Sequence, residues 1–129
     1  MHKNEEDKLH EMMIVHKSNT YVRPHMHKKK SESFMVLNGK VDVVIFHKNG
    51  NVKNIIEMGS PSSGHYFYLK IPAGTYHSMI FHSKKTVYQE AVLGPFSAGD
   101  TIFAKWSPNK EMVKIGNSFL NKSVQTNIS

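Results

Sequence analysis

Val41-Asp42-Val43-Val44-Ile45-Phe46-His47 runs into Lys48-Asn49-Gly50, and Val52-Lys53-Asn54-Ile55-Ile56-Glu57 returns. β-Branched and aromatic residues dominate both arms. Asn-Gly between two such arms is the strongest short hairpin signal. The same grammar extends outward on both sides. Residues 12–17, 21–27 and 34–37 read as strands before the hairpin, with Pro24 arguing for an edge or a bulge. Residues 65–71, 76–82 and 86–92 read as strands after it. Gly-, Pro- and Ser-rich punctuation separates them at 59–64, 72–75 and 94–95. Short strands with turns every ~8–12 residues predict an antiparallel sandwich or small barrel.

The ends read differently. Asn4 as a cap, Glu5, Glu6 and Asp7 at the positive end of a dipole, and Leu9, Met12 and Met13 on one side predict a short helix over residues 1–12. Residues 114–129 are polar apart from Phe119 and Leu120, which predicts an irregular tail, flexible or draped on the surface. A single domain over residues 1–113 is therefore expected.

Composition narrows the function. The 129 residues are 39% hydrophobic and 21% charged, as in one globular domain. There is no cysteine, which excludes disulfides, thiolate metal sites and a cysteine nucleophile. No apolar run approaches the ~18 residues of a membrane helix, and the first seven residues lack the apolar stretch of a secretory signal. A cytoplasmic protein with no membrane partner is expected. The formal net charge is +7, but Arg23 is the only arginine among 17 basic residues and the lysines are scattered. Nucleic-acid readers favour arginine, so the charge reads as solubility and a general pull on anionic small molecules.

Nine histidines are the other signal. His25 and His27 stand two apart, so in a strand they share one face ~6.7 Å apart and can converge on one ion. Glu32 follows, and His77 arrives just after the Pro72-Ala73-Gly74 turn. Imidazoles with one carboxylate and no sulfur suit a divalent transition metal: Zn, Fe, Mn or Ni. Three imidazoles and one carboxylate leave positions open for water or substrate. His2, His10, His16 and His47 read as solvated or packing residues. His82 lies five residues from His77, which puts it on the opposite strand face and outside the ligand set.

These residues carry a resemblance. His25-x-His27-x4-Glu32-x6-Gly39 matches the first cupin motif after its leading glycine, which is absent here, and Pro72-x-Gly74-x-x-His77 matches the core of the second. The second motif's terminal asparagine is replaced by Phe81, at a position that ligates no metal. Residues 21–27, 32–39, 71–78, Glu90 to Pro95 and 103–108 together resemble the WbuC family of cupin-fold metalloproteins, over roughly residues 2–111. Members of that family often carry extra sequence ahead of the point where this chain begins. The resemblance implies an all-β double-stranded β-helix, a jelly-roll barrel with His25, His27, Glu32 and His77 holding one metal inside its mouth. It also implies a setting in bacterial surface-polysaccharide (O-antigen) sugar metabolism, and a homodimer.

An open metal position can polarise a carbonyl or lower the pKa of water. In a sugar setting the most economical reaction is proton transfer beside a carbonyl, an isomerase or epimerase step. Glu90 is the expected acid/base, with Tyr88 on its face. Arg23, two before a ligand, suits an anionic saccharide group, and Tyr66 and Tyr68, sharing a face, suit the pocket wall. Two other readings of the same residues are a saccharide-binding module without turnover and an Fe(II) dioxygenase. Trp106 before Ser107-Pro108 reads as a hydrophobic clasp.

Overall fold

The computed structural model describes residues 8–94 and 98–128. The strands are β1 Leu9–Lys17, β2 His25–His27, β3 Glu32–Asn38, β4 Lys40–Phe46, β5 Val52–Gly59, β6 Tyr68–Ile71, β7 His77–Phe81, β8 Lys85–Leu93 and β9 Thr101–Phe103. A 3-10 turn at Ala98–Asp100 leads into β9, and helix α1 spans Val113–Ile128. Two antiparallel sheets face each other, in the orders β1-β8-β3-β6 and β5-β4-β7-β2-β9. This is the expected jelly roll. Its sheets remain two faces of a sandwich and do not hydrogen-bond into one closed barrel.

Period-two alternation builds the space between the sheets. Glu32, Phe34 and Val36 of β3 point inward and are buried, as are Val41 and Val43 of β4. With Met58, Ile71, Met79, Phe81 and Tyr88, the apolar residues Phe34, Val36, Val41 and Val43 form the central core. Strand β4 is also buried on its other face, where Val44 and Phe46 join Tyr21 and Leu120 in a second cluster. That double burial explains why its sequence is a nearly unbroken apolar run. Gly39, between β3 and β4, has φ +95°, and a Cβ there would lie 2.8 Å from the Lys85 carbonyl and 2.9 Å from Thr86 Oγ1. It follows the register shift between Val36 and Asn38, so a bulge and a left-handed turn both demand glycine.

Both chain ends correct the expectation. Leu9 to Met12 open strand β1 and are not part of a helix; Asn4, Glu5, Glu6 and Asp7 lie outside the described residues. β1 pairs with β8 through nine registers, Leu9 with Leu93 to Lys17 with Lys85. A long ladder outweighs the weak helix preference of so short a stretch. The expected tail is helix α1. Gly116, Phe119, Leu120, Ser123 and Val124 recur at helical spacing, and Leu120 is fully buried. Gly116 lies against the Tyr21 ring so closely that a Cβ would stand 2.4 Å from it. Trp106 is a clasp: its indole N–H donates to the Lys48 carbonyl at 2.9 Å, and its ring packs on Phe46, Tyr76 and Phe119. Among the described residues no helix is long and apolar enough to cross a membrane.

Candidate metal centre

The two histidine-bearing segments are stitched together by backbone. The Gly74 N–H donates to the His27 carbonyl at 2.7 Å, and His25 stands directly opposite His77 where β2 meets β7. Glu32 reaches the same point from the facing sheet, at the start of β3. Ligand atoms of His25, Glu32 and His77 all lie within 4.8 Å of one another. Glu32 and His77 are both 2% exposed.

The tautomers follow from the neighbours. His25 Nδ1 lies 2.9 Å from the Arg23 carbonyl and His77 Nδ1 lies 2.9 Å from the Thr75 carbonyl. A carbonyl only accepts, so each Nδ1 carries the hydrogen and each Nε2 turns a lone pair inward. Orientation of an imidazole by its outer nitrogen is the usual support of a metal ligand. His77 Nε2 rests against Glu32 Oε1, and neither atom has a hydrogen-bond partner. An imidazole nitrogen and a carboxylate oxygen thus face each other in a buried place with no hydrogen bond to either. Such a contact calls for a cation between them, and the donor set fits a divalent transition metal.

His27 stands beside this group and outside it. Its Nε2–H donates to Glu32 Oε2 at 3.0 Å, and its Nδ1 lies 3.4 Å from Thr101 Oγ1 and 3.8 Å from Asp100 Oδ2. The hydrogen bond to Glu32 raises the His27 pKa against the effect of burial. Burial lowers that of His25 to about 4, with His77 adding to the effect. Burial would raise Glu32, but its contacts with His27 and His77 outweigh that and hold it below the usual carboxylate range. Glu90 is pushed up to about 8, first by burial and then by the Glu32 charge.

The site opens into a cavity of about 560 Å³. Its wall combines Glu32, Glu90, Asp100, His25 and His27 with an apolar side of Met12, Tyr21, Val22, Val92 and Phe103. Glu90 lies on this wall. Tyr88 shares its strand face but is 3% exposed and packs between Phe34 and Phe81, beneath the cavity and not on its wall. Burial, Glu90 and Glu32 all raise its phenol. Arg23 borders the cavity, yet its Nε–H donates to Ser107 Oγ at 3.0 Å, an Nη to the Ala104 carbonyl at 3.1 Å, and its guanidinium lies 5.2 Å from the Phe103 ring centre. Tyr66 and Tyr68 correct the expectation: they are 72% and 52% exposed and are absent from the cavity wall. Tyr68 stands opposite Met35, on the outward register of β6. His82 stays outside the site, bonded to Asp42 at 2.7 Å.

Sequence reasoning missed Met12, His10 and His16 as cavity residues, along with Asp100, Thr101 and Phe103 around β9. The alternation His10, Met12, Ile14, His16 is a strand signal that the helix reading of the first dozen residues hid. A three-residue strand such as β9 leaves no periodic signal.

Comparison with known proteins bears on the fold. A family described as "Domain of unknown function (DUF6016)" matches residues 1–58. No curated protein matches the chain. Among solved structures, the capsular polysaccharide assembling protein CapF from Staphylococcus aureus is 25% identical over 76% of this chain, with a TM-score of 0.61. Oxalate decarboxylase from Bacillus subtilis aligns over 86% at 18% identity and a TM-score of 0.62. The dTDP-4-dehydrorhamnose 3,5-epimerase from Elizabethkingia anophelis NUHP1 aligns over 80% at 14% identity and a TM-score of 0.59. The fold is a cupin fold. This cupin spans 29% of CapF, 31% of the decarboxylase and 59% of the epimerase.

Proposed function

We propose that the chain is a small metal-dependent cupin acting on a sugar or sugar nucleotide in bacterial surface-polysaccharide metabolism, as an isomerase or epimerase. The observation that carries this reading is the meeting of ligand atoms of His25, Glu32 and His77 beside a cavity lined by His25, Glu32 and Glu90. The names of the structural neighbours, a capsular polysaccharide assembling protein and a sugar-nucleotide epimerase, support the sugar setting. The WbuC-like motifs support it independently. In this reading the protein works in the cytoplasm on a small molecule, with neither nucleic acid nor membrane as partner.

His25, Glu32 and His77 would hold the ion, with His27 as a fourth ligand beside them. A bound divalent ion supplies positive charge beside a substrate carbonyl. Glu90 takes the proton from the carbon next to that carbonyl; the C–H electron pair moves toward the carbonyl oxygen, and the proton returns to the other face or to the neighbouring carbon. A carboxyl with its pKa near 8 exchanges protons in either direction around neutrality. Tyr88 positions Glu90 from below. Arg23 orients His25 through its carbonyl and presents its remaining N–H groups to an anionic group of the substrate. The apolar wall excludes water from the reacting carbon.

The test is elemental analysis of protein purified without an affinity metal, followed by incubation with a 4-keto sugar nucleotide in deuterated water. One equivalent of zinc, manganese or nickel and deuterium at the carbon beside the carbonyl are expected, with exchange lost in Glu90→Gln. Saturable binding without exchange in any metal form would leave a binding module. Bound iron with oxygen-dependent turnover would make the protein a dioxygenase.

A further inference from the structure

Asp42 and Glu57 are direct cross-strand partners where β4 meets β5. Their neighbours Val41, Val43 and Met58 fill the core, so by alternation both carboxylates lie on the outer face of their sheet. Two acids directly opposite each other destabilise an antiparallel pair unless positive charge joins them. Each has a histidine beside it. His82 Nε2 lies 2.7 Å from Asp42 Oδ2, and His65 Nδ1 lies 3.8 Å from Glu57 Oε2. Backbone fixes where both histidines stand. The His82 N–H donates to the Lys40 carbonyl at 3.0 Å. Lys40 pairs with Gly59, and a Cβ on Gly59 would lie 3.5 Å from the His65 ring. His65 and His82 therefore flank the two acids from the adjoining row. The remaining oxygen of Asp42, Oδ1, is buried and has no hydrogen-bond partner among the described residues. A buried carboxylate oxygen without a donor, set among two imidazoles and a second carboxylate, is satisfied by a cation.

We propose that Asp42, Glu57, His65 and His82 form a second divalent-metal site, distinct from the metal centre, with zinc as its ion. Two nitrogen and two oxygen donors fill the four tetrahedral positions of a structural zinc site and leave none for a substrate. Asp42 stands three residues from Ile45, the partner of His77, so the two sites are separated by about 10 Å along β4 and lie on opposite faces of the sheet. Asp42 and His82 already meet. Glu57 and His65 are 61% and 35% exposed and free to swing onto the ion. Lys40, on the same face two residues before Asp42, is exposed and turns away into water as the ion enters. His65 belongs to residues 60–67, which cross from β5 in one sheet to β6 in the other. The ion thus ties that crossing to β4 and to the end of β7. Ligand atoms of the metal centre are gathered within 4.8 Å, whereas the outer set must be ordered on binding, so its affinity is lower by about a thousandfold.

Calorimetric titration of the chelator-stripped full chain with zinc tests the proposal without reference to activity. Two binding phases are expected, the weaker one belonging to the outer site. Asp42→Asn and His82→Gln each weaken that phase by about a hundredfold and leave the tight phase unchanged. Lys40→Met strengthens it several-fold, because a competing positive charge is gone. The His25→Ala, His77→Ala variant loses the tight phase and keeps the weak one, so failure of the metal centre and failure of the outer site are read separately. Amide exchange over residues 60–66 slows as the weak phase fills and not as the tight phase does. Circular dichroism of Asp42→Asn and His82→Gln matches the parent, since both side chains lie outside the core. A single binding phase up to millimolar zinc overturns the proposal. So does a weak phase that neither Asp42→Asn nor His82→Gln moves, which is an adventitious ion only.

Discussion

His25 and His77 come from segments some fifty residues apart and meet as a cross-strand pair, each turned by a backbone carbonyl so that its Nε2 looks inward. Fixed tautomers make the two imidazoles ligands in waiting, and Glu32 supplies the negative charge. The His25→Ala, His77→Ala double variant should lose metal by at least a hundredfold in affinity while keeping its β-sheet circular dichroism; full occupancy would refute the ligand set. Glu90 makes a pH-dependent contribution in the metal-free protein. Its folded pKa is raised to about 8 from its ordinary value of 4.5, so the folded state holds a proton that the unfolded chain has lost. Stability therefore falls as pH rises through that window. His25 acts at the other end. Its folded pKa is lowered to about 4 from 6.5, so stability also falls as pH drops between those values. Urea midpoints of the metal-free protein should peak in weakly acidic solution. In Glu90→Gln the decline toward pH 8 should flatten while the acid limb stays; an unchanged alkaline limb would remove Glu90 as its source.

Among the elements, the turn at Gly39 and helix α1 are the most exposed to single changes. Gly39→Ala meets both a positive φ and the Lys85 carbonyl, and should cost about 2–4 kcal/mol in chemical denaturation. Gly116→Val drives two methyl groups into the Tyr21 ring. It should lift α1 from its cluster, cost about 1–3 kcal/mol and raise amide exchange across the helix, with the central core unaffected. Tyr21 also lines the cavity, so the same variant should loosen ligand binding there. Strand β1 shows how an element changes identity in context. Its first residues carry acceptable helix propensity, but nine registers with β8 and the inward alternation of His10, Met12, Ile14 and His16 decide for strand.

For the molecule as a whole, a metal that binds only the folded chain stabilises it by mass action. A free ion at about a hundred times its dissociation constant adds about 2.7 kcal/mol, several degrees in Tm. Zinc or manganese should give that shift in the parent and none in the double histidine variant, read by differential scanning calorimetry. Much of the design was readable in the chain. The hairpin at 41–57 and the regular turns lead to an antiparallel sandwich or small barrel, because period-two patterning and turn chemistry are local properties, and the spacing of His25, His27, Glu32, Gly39 and His77 carries the resemblance that implies a jelly roll with a metal set. Tertiary structure alone decided the rest. It carried the strand at 12–17 back to Leu9 and made the polar tail a helix, put Tyr66 and Tyr68 on the outside, and placed His27 on Glu32. It also spent two donors of Arg23 on the 104–107 turn. Those outcomes depend on which surfaces meet across the two sheets, and contacts between distant segments leave no periodic trace in the sequence that makes them.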